Sequence, residues 1–145
     1  MVEFTVLATI LTLLVVGIVD FGMGFWNQLK VNAAAQDGAA YAIGATSFSA
    51  TIITSAVTSG ATTTACSGTA IQACPAPTQW CGCPNATTGV ITASGTPPNS
   101  CSGTCAAGLG VYVTVNAQYS YSTIMNWPGI TSPTTLSSTA TVRIQ

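Results

Sequence analysis

The chain has 145 residues, only 3% of them charged, no histidine, and a formal net charge of -1. Such a composition has almost no vocabulary for general acid–base catalysis and argues against an enzyme. With Lys30 and Arg143 as its only cations it also lacks the basic surface that nucleic-acid binding requires. The length accommodates one domain and an appendage with a small core. A neutral surface of Thr, Ser, Ala and Gly removes the repulsion that keeps soluble monomers apart, and suits subunits that pack against copies of themselves.

Four of the five charges, Glu3, Asp20, Lys30 and Asp37, fall in the first 37 residues, and none lies between Asp37 and Arg143. Between Glu3 and Asp20 runs FTVLATILTLLVVGIV, residues Phe4 to Val19. As a helix it is about 24 Å long, short of a bilayer core of roughly 30 Å. Extension through Asp20 to Trp26 gives about 34 Å and places Phe25 and Trp26 as interfacial anchors. Asp20 is then an acid at membrane depth, which calls for a partner. Lys30 stands about 15 Å further along the same helix, too far to serve. The expectation is an ion pair from Asp20 to Lys30 of a neighbouring subunit, against the simpler reading of an Asp20 solvated at the outer interface. A cleaved secretory signal is not expected, since the run opens on Met1-Val2-Glu3 with no basic region before it and no small-residue cleavage site after it.

Good helix formers continue from Asn27, with Ala33, Ala34, Ala35, Ala39, Ala40 and Ala42 giving a slender, close-packing face. One helix over residues 3–44 follows, with Gly17, Gly22, Gly24 and Gly38 as places where it can bend. A second helix is expected over 46–59, where Phe48, Ile52, Ile53, Ala56 and Val57 share a face.

Six cysteines, Cys66, Cys74, Cys81, Cys83, Cys101 and Cys105, lie in a stretch rich in Gly, Thr, Ser and Pro, including Pro75, Pro77, Pro84, Pro97 and Pro98. This stretch reads as loops with at most a short strand at Val90-Ile91. Three disulfides are expected in an oxidising compartment, with fifteen pairings open. A zinc site from Cys81, Cys83, Cys101 and Cys105 has the wrong spacing and is not expected, so the chain is assigned no metal and no cofactor. Asn85-Ala86-Thr87 is a glycosylation sequon, a short match that arises often by chance.

The last third changes period. Val111, Val113, Val115, Ala117, Tyr119 and Tyr121 alternate with polar residues and Tyr112, and Leu136, Ala140, Val142 and Ile144 alternate with Ser, Thr and Arg143. Two strands result, pairing as an antiparallel hairpin across Trp127-Pro128-Gly129 with their apolar faces on the long helix. Tyr119, Tyr121 and Trp127 are assigned to the core, and Tyr112 and Trp80 to subunit contacts. The fold class is α+β, divided into a membrane or filament-core helix over 1–45 and an extracytoplasmic head over 46–145.

The stretch VEFTVLATILTLLVVGIVDFGMGFWNQLKVNAAAQDGAAYA resembles the N-terminal region of TadE/TadG-like pilins of the tight-adherence system, in its V-E-F start, apolar run, acid-F-G step, aromatic pair and D-G-A-x-Y-A segment. The end, with its V-x-V-x-V run and final L-x-x-x-A-T-x-R, resembles that family's closing strands. The resemblance implies a type IV pilin-like fold. It also implies a prepilin peptidase substrate held in the inner membrane with its N-terminus cytoplasmic, then drawn by the pilus assembly machinery into an extracellular helical filament of its own copies. Glu3 would set axial register by meeting the α-amino group of an adjacent subunit, against the simpler reading of an acid marking the cytoplasmic boundary. The expectation is a structural pilin. Its alternatives are a minor pseudopilin that primes or tips a filament of another pilin, and a membrane-anchored periplasmic binding domain.

Overall fold

The computed structural model describes residues 2–58, 66, 70–95, 101, 105, 108–125, 129 and 132–144. A helix α1, Val2–Gly44, runs without interruption through every glycine at which a bend was expected. Its first half stands away from the rest of the chain. Its second half carries the core: Val31, Ala34, Ala35, Ala39 and Ala42 are buried at three- and four-residue spacing, while Ala33 and Ala40 of the expected face are exposed.

Small side chains on that stripe let the neighbouring elements come close. Gly38 marks the point of closest approach, because a Cβ placed there would lie 2.5 Å from Val57 Cγ2 and 2.8 Å from Val115 Cγ1. Gly38 is thus a packing position and not a hinge. The second helix, α2, Ala50–Val57, is shorter than expected and begins after Ser49, whose backbone is extended. It buries Ile53 and Val57 against the stripe and leaves Ile52 exposed.

Four strands form one antiparallel sheet: β1, Thr78–Pro84, β2, Ile91–Gly95, β3, Gly110–Tyr121, and β4, Thr134–Arg143, in the order β2-β1-β3-β4. The expected hairpin is present, with β3 and β4 in register from Tyr112↔Arg143 to Tyr121↔Thr134. Its connection at Trp127-Pro128 lies outside the described residues, as do the proposed core position of Trp127 and the prolines at 97 and 98. Val113, Val115 and Ala117 point at α1 and are fully buried, with Leu136, Ala140 and Val142 of β4 half-buried beside them.

The cysteine-rich stretch departs from the loop expectation, since β1 and β2 form a hairpin inside it. Tight turn chemistry closes that hairpin. Asn85 Oδ1 accepts from the backbone N–H of Thr87 at 2.9 Å and of Thr88 at 3.1 Å, and Gly89 takes the left-handed φ of 70° that favours glycine. On the sheet face away from α1, Trp80 and Tyr112 stack with ring centroids 5.1 Å apart. The Trp80 indole donates to Thr114 Oγ1 at 2.8 Å. Both rings were expected at subunit contacts; within this chain they cover each other, and Tyr112 is buried.

Beyond Thr114, β3 has left β1, and its open edge is met by the segment at 72–75. Gln72 and Gln118 exchange both backbone hydrogen bonds at 2.8 Å, and Asn116 Nδ2 donates to Pro75 O at 3.3 Å.

The glycines of α1 supply a test of opposite sign. Gly38→Val should destabilise the protein by about 1–3 kcal/mol through overpacking. Gly22→Ala, where nothing lies within 4 Å, should stabilise the helix by about 0.5–1 kcal/mol. Urea unfolding in detergent followed by circular dichroism reads both.

Candidate anchoring and assembly site

The residues that matter for anchoring lie on α1 and at the corner where β3 ends. From Phe4 to Val19 the apolar side chains project outward, with Phe4, Leu7, Ile10, Leu11, Leu14 and Ile18 all more than half exposed. Thr9 and Thr12 turn their hydroxyls onto the helix backbone: Thr9 Oγ1 donates to Thr5 O and Thr12 Oγ1 to Ala8 O, each at 2.8 Å. A helix whose backbone and hydroxyl groups are satisfied along its own length is compatible with lipid. By length and composition the helix is long and apolar enough to cross a membrane.

Asp20 follows directly and is 3% exposed. One carboxylate oxygen accepts from the Tyr121 hydroxyl at 2.6 Å and from the Ile124 backbone N–H at 3.2 Å. The same hydroxyl lies 3.0 Å from the Asp20 carbonyl oxygen. The acid is therefore clamped by the end of β3, 101 residues away. Burial pushes the Tyr121 phenol up to about 12, reinforced by its hydrogen bond to Asp20, the charge of that carboxylate and the nearby Tyr119. A second strap follows two turns along, where Gln28 Nε2 donates to Ser137 O of β4 at 3.0 Å. Between the straps, Phe21, Gly24, Phe25, Tyr121, Thr134 and Leu136 line an apolar groove of about 510 Å³.

Lys30 stands beyond the second strap, exposed, with its Nζ 5.7 Å from the centre of the Trp26 ring. The structure does not bring Lys30 to Asp20 within one chain. Glu3 lies in the first turns of α1, and its side chain is outside the description. The cysteines pair as Cys66–Cys74, Cys81–Cys101 and Cys83–Cys105. These bonds consume the thiolates a zinc site would need. Cys81 and Cys83 share one face of β1, so two bridges staple the 101–105 segment to that strand, and the third fixes the segment that covers the β3 edge. Asn85 sits exposed in the β1–β2 turn.

The feature that sequence reasoning missed is the partner of Asp20. Tyr121 was legible as an inward residue of a strand, but no local signal ties a strand end to an acid so far upstream.

Residues 1–40 match the family of TadE-like proteins. The TadE-like segment covers the exposed apolar run, Asp20, the Phe25-Trp26 pair and most of the buried alanine stripe, and it leaves the sheet and the disulfides outside the match. Comparison of the chain with curated proteins and with solved structures gave no match.

Three measurements check the site. A rapid tyrosinate absorbance titration should show one of the four tyrosines ionising near pH 12, a step lost in Tyr121→Phe. Because the folded-state value is raised, the stabilisation is complete below about pH 10 and disappears as pH rises through 12. Unfolding of the wild type should therefore steepen in that window and that of Tyr121→Phe should not. Non-reduced peptide mapping should recover the three named pairs, and their reduction should cost about 2–4 kcal/mol per bridge.

Proposed function

We propose that the chain is a structural pilin of a tight-adherence-type pilus. It is held in the inner membrane by α1 before assembly and becomes a subunit of an extracellular filament afterwards. The observation that carries the reading is the outward-facing apolar surface from Phe4 to Val19 on a helix of which only the second half is used to build the core with the head. A helix so exposed must be covered by lipid or by other helices. The match of that same segment to TadE-like proteins favours a sequence of both, lipid first and neighbouring copies later.

In this reading residues 1–45 form the filament core and residues 46–145 the outer coat, with the coat docked on the second half of the helix. Neither catalytic chemistry nor a cofactor is called for. The partners are other copies of the chain, a prepilin peptidase and the pilus assembly machinery. Glu3 sets axial register against the terminal amine of a neighbour. Lys30, exposed on the helix, is available to a neighbouring subunit. Asp20 would pair with it only through a carboxylate that already accepts two hydrogen bonds from its own chain. Joint reversal, Asp20→Lys with Lys30→Asp, should restore assembly lost in either single change if that ion pair forms.

Shearing surface appendages from producing cells tests the function itself. Electron microscopy should show filaments, and mass spectrometry should find this chain as their most abundant subunit. Glu3→Gln should abolish the filaments while the protein still accumulates in the membrane. A chain scarce in the sheared fraction and enriched in membranes would instead identify a priming or tip pseudopilin, or an anchored periplasmic domain.

A further inference from the structure

Phe4 to Val19 is only about 24 Å of helix, less than a hydrocarbon core of roughly 30 Å. The apolar surface does not stop at Val19. Phe21, Met23, Phe25, Trp26 and Leu29 continue it on α1, each between 46% and 68% exposed. The head contributes Ile124 at 58% and Met125 at 41% to the same level, because the Ile124 N–H is bonded to Asp20. The one charge in this band, Asp20, is buried and takes its hydrogen bonds from Tyr121 and Ile124. From Phe4 to Leu29 the helix thus presents no exposed charge over about 39 Å, close to the thickness of a bilayer with part of its headgroup region. Lys30 comes next, beside Trp26, an aromatic and cation pair suited to the headgroup level.

We propose that the head is partly embedded in the membrane before assembly: lipid acyl chains of the outer leaflet cover Phe21 to Leu29 together with the Ile124–Met125 corner, and enter the apolar groove between α1 and the β3–β4 edge. The groove is lined by Phe21, Gly24, Phe25, Tyr121 and Leu136, and continues the apolar face of the anchoring helix at the same depth. A seat in lipid, with Lys30 level with the phosphates, covers a collar that water would otherwise meet. The inference rests on the membrane-anchored reading of α1 and adds that the head, not the helix alone, contacts lipid.

The full chain in nanodiscs of phosphatidylethanolamine and phosphatidylglycerol, one chain per disc, provides the test. A benzophenone amino acid is placed in turn at Leu11, Ile124, Met125 and Val90, the last an exposed apolar residue of the β1–β2 turn. After irradiation, intact mass should show phospholipid adducts at Leu11, Ile124 and Met125 and none at Val90. Adducts at Leu11 but at neither head position would overturn the embedded collar and leave the anchor standing. Adducts at Val90 as strong as those at Ile124 would overturn it too, as non-specific capture. Adducts at none of the four would remove the membrane reading along with it.

Discussion

The structure depends on how one carboxylate is housed. Asp20 lies where the lipid-compatible helix becomes the spine of a folded head, and an ionised group there is costly unless hydrogen bonds replace its water. Tyr121 and Ile124 supply them, and in doing so they fix the far end of β3 to the helix. The acid that looks like a flaw in a membrane segment is the point of attachment of the sheet. Removing the Tyr121 hydroxyl would leave a buried carboxylate short of a donor, a loss of about 1–3 kcal/mol or more for a charged group.

From that clamp the rest of the packing follows in order along α1. Gln28 ties the helix to β4, Val31 and the alanines receive Val113, Val115 and Ala117, and Gly38 admits α2. Such small side chains bring the layers close but bury little apolar area per residue, so the core is thin. The chain answers with two further devices. Trp80 stacks on Tyr112 over Gly82, where a Cβ would lie 2.7 Å from the indole, and disulfides bind β1 to the 101–105 segment. One helix is divided in two, its first half apolar and exposed and its second spent on the head.

What could be read in advance was whatever is periodic. The long helix, the alternation in β3 and β4, and their antiparallel pairing all declare themselves through spacing, and the charges bracket the apolar run plainly. Strand β1 is hidden in the sequence because TQWCGCP carries a glycine and a proline, which signal turns, while its stability comes from pairing with β2 and β3 and from bridges formed at long range. Gly38 reads in the sequence as a place to bend because a sequence shows a missing side chain and not the two valines that fill its place. In the sequence Asp20 calls for a partner, and the one it suggests is a cation of another subunit. The donor within the chain is a neutral phenol, and nothing in the local pattern of either segment announces the contact.

Attachment of the head to the helix through Asp20 is tested most directly at the Ile124 amide. In nanodiscs, hydrogen exchange at Ile124 should be slow in the wild type and fast in Asp20→Leu, with the β3 amides between Val111 and Ala117 protected in both. Equal exchange at Ile124 in the two proteins would contradict the account, because the carboxylate would then not be what takes that hydrogen bond.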